Sequence, residues 1–361
     1  MRIGVDGNEA NVSERVGVSV YTLSLLSEWH KQANSNLTFT IYLSADPRAH
    51  MPTQNDFFKY VVVKPAKLWS RIVLPAYLFF HRDIDVFFAP AHYSPTYVPA
   101  PLVVTIHDVA YHYFPKEFLK KDLYKLNVWT KQSLDKASKV IAVSRNTKDD
   151  ITKVYGTPSS KVSVVYNGFD TNETLKIVSN KNDKPFLLYV GTLQPRKNIS
   201  FLINALAEFK KSHEDYQLRI VGRKGWLYED ILKTAEKLNI KGDVIFEGFV
   251  PDTKKNELYA KAVCFVMPSL YEGFNIPCLE ALSLGCPVVA ANTSSLPEVG
   301  GNACLYFDPT DKASLLAQLE AITTDKKLCT SLISKGKQQV KKFSWQKSAQ
   351  ETLDVIMKAV K

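Results

Sequence analysis

The stretch Phe186-Leu187-Leu188-Tyr189-Val190-Gly191-Thr192-Leu193-Gln194-Pro195-Arg196-Lys197-Asn198 decides the fold. Five large apolar residues in a row are too few for a buried helix and read as a fully buried strand. Gly191 ends that strand. A polar turn with two adjacent cations follows, and Asn198 or Ser200 stands where the next helix needs a cap. Two cations at a helix start oppose the helix dipole; the turn is either simply solvated or calls for an anion, and a diphosphate would satisfy both side chains and the free amides.

Working outward, the same strand–turn–helix unit recurs. In the second half the strands are expected at Phe186–Val190, Gln217–Val221, Val244–Glu247, Cys264–Met267, Pro287–Ala290 and Cys304–Tyr306. In the first half they are expected at Ile3–Asp6, Phe39–Leu43, Tyr60–Val63, Val86–Ala89, Leu102–His107, Val140–Ser144 and Val162–Tyr166. Amphipathic segments lie between most of them, including Ser19–Lys31, Lys121–Lys136, Lys312–Thr323 and Asp325–Lys341. Alternation of this kind implies parallel strands joined by right-handed crossovers. The polar run Asp170–Lys184 separates the two sets. The expectation is therefore an α/β protein of two Rossmann-like, doubly wound domains, 1–170 and 185–342, joined by a linker at 171–184. A last amphipathic segment, 343–361, is placed against the first domain. Ligands of such folds bind beyond the carboxyl ends of the strands.

Composition limits the function classes. The chain has 361 residues, 45% of them apolar, and a formal net charge of +10. The basic surplus implies acidic partners: nucleic acid, an anionic membrane or a phosphorylated small molecule. The cations are scattered through helices without a stacking platform, which argues against nucleic acid. The five cysteines show no metal-ligand spacing and read as buried thiols. No leader-like or membrane-spanning run is apparent, so a cytoplasmic location is expected. Residues 64–82, KPAKLWSRIVLPAYLFFHR, mix cations with Trp69, Tyr77, Phe79 and Phe80. Two readings stay open for them: a buried crossover helix, which is the more ordinary, or an interfacial segment at the inner face of a membrane.

Five strand-end constellations are candidates for chemistry. The sharpest is Tyr271-Glu272-Gly273-Phe274-Asn275-Ile276-Pro277-Cys278-Leu279-Glu280-Ala281. Pro277 suits the first position of a helix. Glu272 then lies on the loop and Glu280 in the first turns, where Glu280 has the bland alternative of merely capping or solvating the helix. The others are the 191–198 turn, the pair His107-Asp108, the loop Asn11–Gly17, which is not a dinucleotide fingerprint, and the turn Ser144–Lys148.

These segments together resemble the retaining glycosyltransferases of the GT-B fold, family 4, in the subset that resembles mannosyltransferases. Glu272 and Glu280 match that family's paired-glutamate pattern within EGFNIPCLE, and VGTLQPRKN (Val190–Asn198) matches its phosphate-binding segment. IHD at Ile106–Asp108, AVSRNTKDDI at Ala142–Ile151, VVYNGFD at Val164–Asp170 and FEGFV at Phe246–Val250 follow in the expected order. The resemblance implies two domains facing across a cleft that holds a nucleoside diphosphate sugar, with no cofactor and no metal. It implies that His107, Arg196, Lys197 and Glu272 serve catalysis. Donor contacts are implied for Gly17, Gly191, Arg196, Lys197, Phe249, Val250, Glu272, Gly273, Phe274, Asn275, Ile276, Leu279 and Glu280. Arg196 and Lys197 would hold the diphosphate, Glu280 the ribose, Glu272 the sugar hydroxyls, and Phe249 and Val250 would line the base pocket. Two positions depart from the pattern: Thr192 stands where many relatives carry Arg, and Ser19 where a second Gly is common. The implied reaction moves a hexosyl group, best matched to mannosyl from GDP-mannose, onto a saccharide or lipid-linked saccharide acceptor. Rivals are a UDP-sugar donor, a nucleotide-sugar epimerase and a non-catalytic nucleotide-sugar binder; a sugar phosphorylase would need a pyridoxal phosphate lysine, which no segment suggests.

Overall fold

The computed structural model describes residues 1–14, 17–170 and 184–360. The chain forms two compact units, Met1–Gly168 with Phe343–Lys361 and Phe169–Lys342. The first unit thus ends at Gly168, slightly before the expected boundary at residue 170. Residues 171–183 of the expected linker lie outside the described residues.

In the first unit the strands are β1 (Arg2–Asp6), β2 (Thr38–Leu43), β3 (Phe58–Val62), β4 (Val86–Ala89), β5 (Leu102–Ile106), β6 (Lys139–Ala142) and β7 (Val162–Val164). Among the described residues they pair in the order β3-β2-β1-β4-β5-β6-β7, every pair parallel. The expected strands Leu102–His107 and Val140–Ser144 stop earlier, at Ile106 and Ala142. His107 and Ser144 are already in the loops beyond the strand ends. Ser144 leaves the sheet to cap the helix Arg145–Tyr155, its Oγ accepting the Thr147 amide at 3.1 Å.

The helix Trp345–Val360 belongs to the core of this first unit. Trp345, Ala349, Leu353 and Ile356 are buried with Trp29, Phe39 and Phe88. The indole of Trp29, in the helix Gly17–Gln32, donates to the Ala349 carbonyl at 3.1 Å. Gly168 makes this docking possible, because a Cβ there would lie 2.3 Å from the Trp345 nitrogen.

In the second unit β8 (Phe186–Val190), β9 (Gln217–Val221), β10 (Val244–Gly248), β11 (Cys264–Met267), β12 (Val288–Ala291) and β13 (Cys304–Phe307) run in the order β10-β9-β8-β11-β12-β13, again all parallel. Strands β4, β5, β8, β11 and β12 are buried throughout, which is why they read as unbroken apolar runs.

Each sheet reverses its winding at one place: between β1 and β4 in the first unit, and between β8 and β11 in the second. At such a switch point the loops from the two strand ends diverge to opposite faces and leave a crevice. The fold therefore singles out the loops after β1 and β4, and those after β8 and β11.

Candidate functional site

The crevice of the second unit is built from backbone first. Gly222, at the end of β9, lies so close to the end of β8 that a Cβ would sit 1.9 Å from the Gly191 carbonyl oxygen. This contact lets the loops after β8 and β9 pair: the Leu193 amide donates to Arg223 O at 2.9 Å, and the Gly225 amide to Leu193 O at 3.1 Å. The 3-10 turn Pro195–Lys197 follows, and the Leu270 amide donates to Arg196 O at 2.9 Å. That bond brings the turn after β8 against the loop after β11, across the switch point.

Arg196, Lys197 and Glu272 meet there. Both Glu272 oxygens accept from the Lys197 ammonium, at 2.6 and 2.7 Å, and Oε1 also accepts from Ser269 Oγ at 2.7 Å. Arg196 Nη1 donates to the Tyr271 carbonyl at 3.0 Å and stands 3.8 Å from Glu272 Oε2. Glu272 is only 7% exposed. Burial alone would raise its pKa, but Lys197 and Arg196, with the hydrogen bonds from Lys197 and Ser269, outweigh it and hold the carboxyl below the usual range. The anion that the sequence called for beside these cations is thus, in the protein itself, the Glu272 carboxylate. The loop is tied down again from the β12 side. Glu272 N donates to Ser294 Oγ at 2.8 Å, and Ser295 Oγ donates to the carbonyls of Glu272 and Phe274 at 2.9 and 3.2 Å.

The helix Ile276–Ser283 starts one residue earlier than expected, so Pro277 is its second residue. Asn275 caps it from a left-handed conformation, φ 81°, its Oδ1 accepting the Cys278 amide at 3.0 Å. Its Nδ2 is buried and, among the described residues, has no hydrogen-bond partner. Glu280 neither caps nor merely solvates the helix. Its two oxygens accept from Lys255 Nζ at 2.8 Å and from the Tyr259 hydroxyl at 3.0 Å.

The remaining expected positions divide. Leu279 is fully buried, so its side chain packs in the core and cannot meet a ligand. Phe274 is likewise buried, which leaves its backbone as the group it can offer. Asn198 does not cap its helix with its side chain; held at φ 57°, it donates through Nδ2 to Pro309 O at 3.0 Å. Phe249 is 70% exposed, with the Arg223 guanidinium 4.4 Å from its ring centroid, and Val250 adjoins it. Gly17 opens the helix Gly17–Gln32 in open space, and Arg15 and Val16 of its loop lie outside the described residues.

His107 lies in the first unit, just beyond the end of β5. It is 9% exposed, packs edge-on to Tyr21 at 4.8 Å, and its Nε2–H donates to the Pro90 carbonyl at 2.8 Å. A carbonyl can only accept, so the proton is fixed on Nε2 and Nδ1 carries a lone pair. Burial, with neighbouring His92, lowers the His107 pKa to about 4, so the ring is neutral at ordinary pH.

Ser269 and the adjacent pair Ser294-Ser295 were missed, because small hydroxyl residues are ordinary loop composition. Lys255 and Tyr259 were missed as well, although their spacing of one helical turn on a polar helix was a usable signal.

A doubly wound pair of sheets with cation–carboxylate clusters at a strand-end crevice defines a GT-B fold protein of the glycosyl-transferring class. Two family descriptions match: "Glycosyl transferases group 1" over residues 170–339 and "Glycosyltransferase Family 4" over residues 16–173. The chain belongs to this glycosyltransferase family. It is similar to O-antigen chain mannosyltransferase B of Escherichia coli, 32% identical over 269 residues, 70% of this chain and 69% of the relative. It is 31% identical over 220 residues to O-antigen chain mannosyltransferase RfbU of Salmonella typhimurium, 61% of this chain and 60% of the relative. The structure of Anabaena Alr3699/HepE in complex with UDP superposes with a TM-score of 0.74 at 19% identity, covering 99% of both chains, which shows a shared fold.

Proposed function

We propose that the protein transfers a mannosyl group from GDP-mannose to an acceptor hydroxyl, with retention of anomeric configuration and without a metal ion, in polysaccharide or glycolipid assembly. The observation that carries this reading is the buried Arg196–Lys197–Glu272 cluster beside the start of the helix Ile276–Ser283. As the sugar departs, negative charge develops on the β-phosphate. Two fixed cations and the helix-start amides would stabilise it without reorganising. Glu272 holds Lys197 in place by a short, doubly bonded pair and would accept hydroxyl hydrogens of the transferred sugar. Glu280, oriented by Lys255 and Tyr259, would accept from the ribose. A buried amide donor without a partner costs about 1–3 kcal/mol, and a ligand oxygen near Asn275 Nδ2 would remove that cost. The mannosyl assignment is supported by the two mannosyltransferase relatives. His107, neutral with its Nδ1 lone pair, would accept a hydroxyl from the donor sugar.

The test is turnover. GDP-mannose, GDP-glucose, UDP-glucose and ADP-glucose are supplied with short saccharide acceptors, with and without EDTA. Nucleoside diphosphate release and the anomeric signals of the product are followed by NMR. GDP release from GDP-mannose alone, an α-linked product and indifference to EDTA are expected. Release of UDP alone gives the second reading, a UDP-sugar donor, which the UDP-bound structural relative favours. A new nucleotide sugar without acceptor would indicate an epimerase, and binding without any turnover a non-catalytic role.

We also propose that the protein works at the cytoplasmic face of a membrane. Among the described residues no helix is long and apolar enough to cross one. Residues 64–82 carry Lys64, Lys67, Arg71 and Arg82 and no carboxylate. The bury-or-expose question raised by the sequence divides within the segment: Leu74, Pro75 and Leu78 are buried, while Leu68, Ile72, Phe79 and Phe80 are exposed, Phe80 by 79%. Exposed apolar side chains on a segment that carries four cations and no carboxylate, with Arg82 over the Phe79 ring, suit an anionic bilayer. Sedimentation with anionic vesicles that weakens with salt and with Phe79→Ser/Phe80→Ser is expected. No sedimentation at low salt would rule it out.

A further inference from the structure

The charged groups of the second unit run in one direction across the ends of its strands. Arg196 and Lys197 stand beyond β8, and Glu280 is held by Lys255 and Tyr259 of the helix Asp252–Lys261. Phe249, Val250 and Pro251 lead straight from β10 into that helix. A nucleoside diphosphate with its phosphates on the two cations and its ribose on Glu280 would therefore turn its base toward Phe249. That ring is 70% exposed and offers an apolar surface to a flat partner.

The loop after β9 is fixed at the same place by its backbone. Gly222 N donates to Gly248 O at 2.9 Å, which ties the loop to the end of β10. On its other side the Leu193 amide donates to Arg223 O, and the Gly225 amide donates to Leu193 O. A Cβ at Gly225 would lie 2.6 Å from Leu193 O, so a side chain there would push the two loops apart. Arg223 is thus anchored between the loops after β8 and β10, with its guanidinium carbon 4.4 Å from the Phe249 ring centroid. Its neighbour Lys224 turns back on its own loop, with Nζ 5.1 Å from the Tyr228 ring centroid.

We propose that Arg223 selects the base of the donor nucleotide, donating a parallel pair of N–H bonds to O6 and N7 of guanine while the base lies against Phe249. The edges of the bases decide the choice. Guanine sets two acceptors, O6 and N7, side by side, and the arginine fork matches them with two donors. Adenine puts an amino donor beside N7, and that donor opposes an N–H of the fork. Uracil has one acceptor on that edge, O4, flanked by an N–H and a C–H, so it takes one bond of the pair. A guanidinium has more donors than a single contact takes up, so its place over Phe249 and a bond to the base are compatible.

This inference rests on the donor-site reading, and its test separates the two. Affinities for GDP, inosine diphosphate, 7-deaza-GDP, ADP and UDP are measured by calorimetric titration. The wild type is compared with Arg223→Ala and Arg223→Lys, and the melting temperature of each free protein is recorded. The lysine variant keeps the charge and loses the fork, and it carries the test if the alanine variant fails to fold. Inosine diphosphate keeps O6 and N7, and 7-deaza-GDP lacks N7. The wild type is expected to bind GDP and inosine diphosphate alike, and 7-deaza-GDP, ADP and UDP about tenfold or more weakly, the scale of one bidentate base contact. In both variants GDP is expected to fall by about tenfold, to the level of ADP and UDP, while ADP and UDP change little. An unchanged base preference in the variants, or a wild type that prefers UDP or ADP, would overturn the proposal and leave the donor site standing. Equal weakening of every nucleotide would place Arg223 on a phosphate and overturn it as well. Failure of every nucleotide to bind the wild type would overturn the donor reading and this proposal together.

Discussion

The two switch points share a topology and differ in how they hold charge. In the second unit every carboxylate at the crevice is matched: Glu272 with Lys197 and Arg196, Glu280 with Lys255 and Tyr259. Glu272 is held ionised below the usual range. In the first unit the titratable groups are pushed toward neutrality. Burial lifts the Asp6 carboxyl to about 7 and raises Glu9, and burial lowers His107 to about 4. The two sheets share a winding, and the loops beyond their strands, not the sheets, carry the different charge patterns.

The comparison can be broken most decisively at Lys197. Lys197→Ala should lower the transfer rate by about a hundredfold to a thousandfold, the effect of removing one preorganised charge-stabilising donor. It also leaves Glu272 buried without its main partner, so the melting temperature must be recorded alongside kcat. A variant that melts lower but turns over normally would mean that the pair is structural only.

Next in size is the pH dependence of stability. The folded pKa of His107 lies below its unfolded value of 6.5. Its contribution is therefore complete above pH 6.5 and is lost as pH falls toward 4, by at most about 3 kcal/mol at 1.36 kcal/mol per unit. Asp6 works in the opposite sense. Its folded pKa is raised from 3.8, so its contribution is present below pH 3.8 and is lost as pH rises through about 7. Thermal midpoints from pH 4 to 8 should show the acid limb flattened in His107→Gln and the limb toward pH 8 flattened in Asp6→Asn. Unchanged profiles would mean that neither group is held as described.

Glu280→Gln should be milder. It exchanges a charged acceptor for a neutral one beside Lys255, and a donor KM higher by about tenfold is expected, with kcat little changed. A fall in kcat at constant KM would move Glu280 from donor binding to the reacting centre. The smallest effect is expected at Phe249. It is exposed and its contact with Arg223 is worth about 0.5–1 kcal/mol, so Phe249→Ala should leave stability nearly unchanged. If it alters the preference between GDP and UDP, the base lies there.

Much of this was legible in the sequence. The central strands of the second sheet stand out because both faces are covered, and Phe186–Val190 and Cys264–Met267 were delimited as they occur. Arg196, Lys197, Glu272 and Glu280 were picked out by their spacing around glycine and proline. Strand order was not legible, because a run of Val and Ile does not say which neighbour it pairs with. Arg223 therefore could not be placed between Leu193 and Phe249. The partners of the two glutamates were not legible as partners, since Ser269 and Lys197 meet Glu272 only once the loops after β8 and β11 converge, and Lys255 and Tyr259 meet Glu280 only once the helix Asp252–Lys261 packs beside the helix Ile276–Ser283. Leu279 shows a related limit: it lies inside the motif, but the helix turns its side chain to the core and leaves only its backbone to a ligand.

If the second unit is the donor site, it binds a nucleoside diphosphate through Arg196, Lys197 and Glu280. Calorimetric titration of GDP and UDP into the wild type and into Arg196→Ala, without metal, tests it most directly. GDP is expected to bind the wild type, and Arg196→Ala to weaken it by about tenfold or more, the loss of one charge-assisted contact. Absence of binding by either nucleotide at millimolar concentration, or equal affinity in the variant, would contradict it.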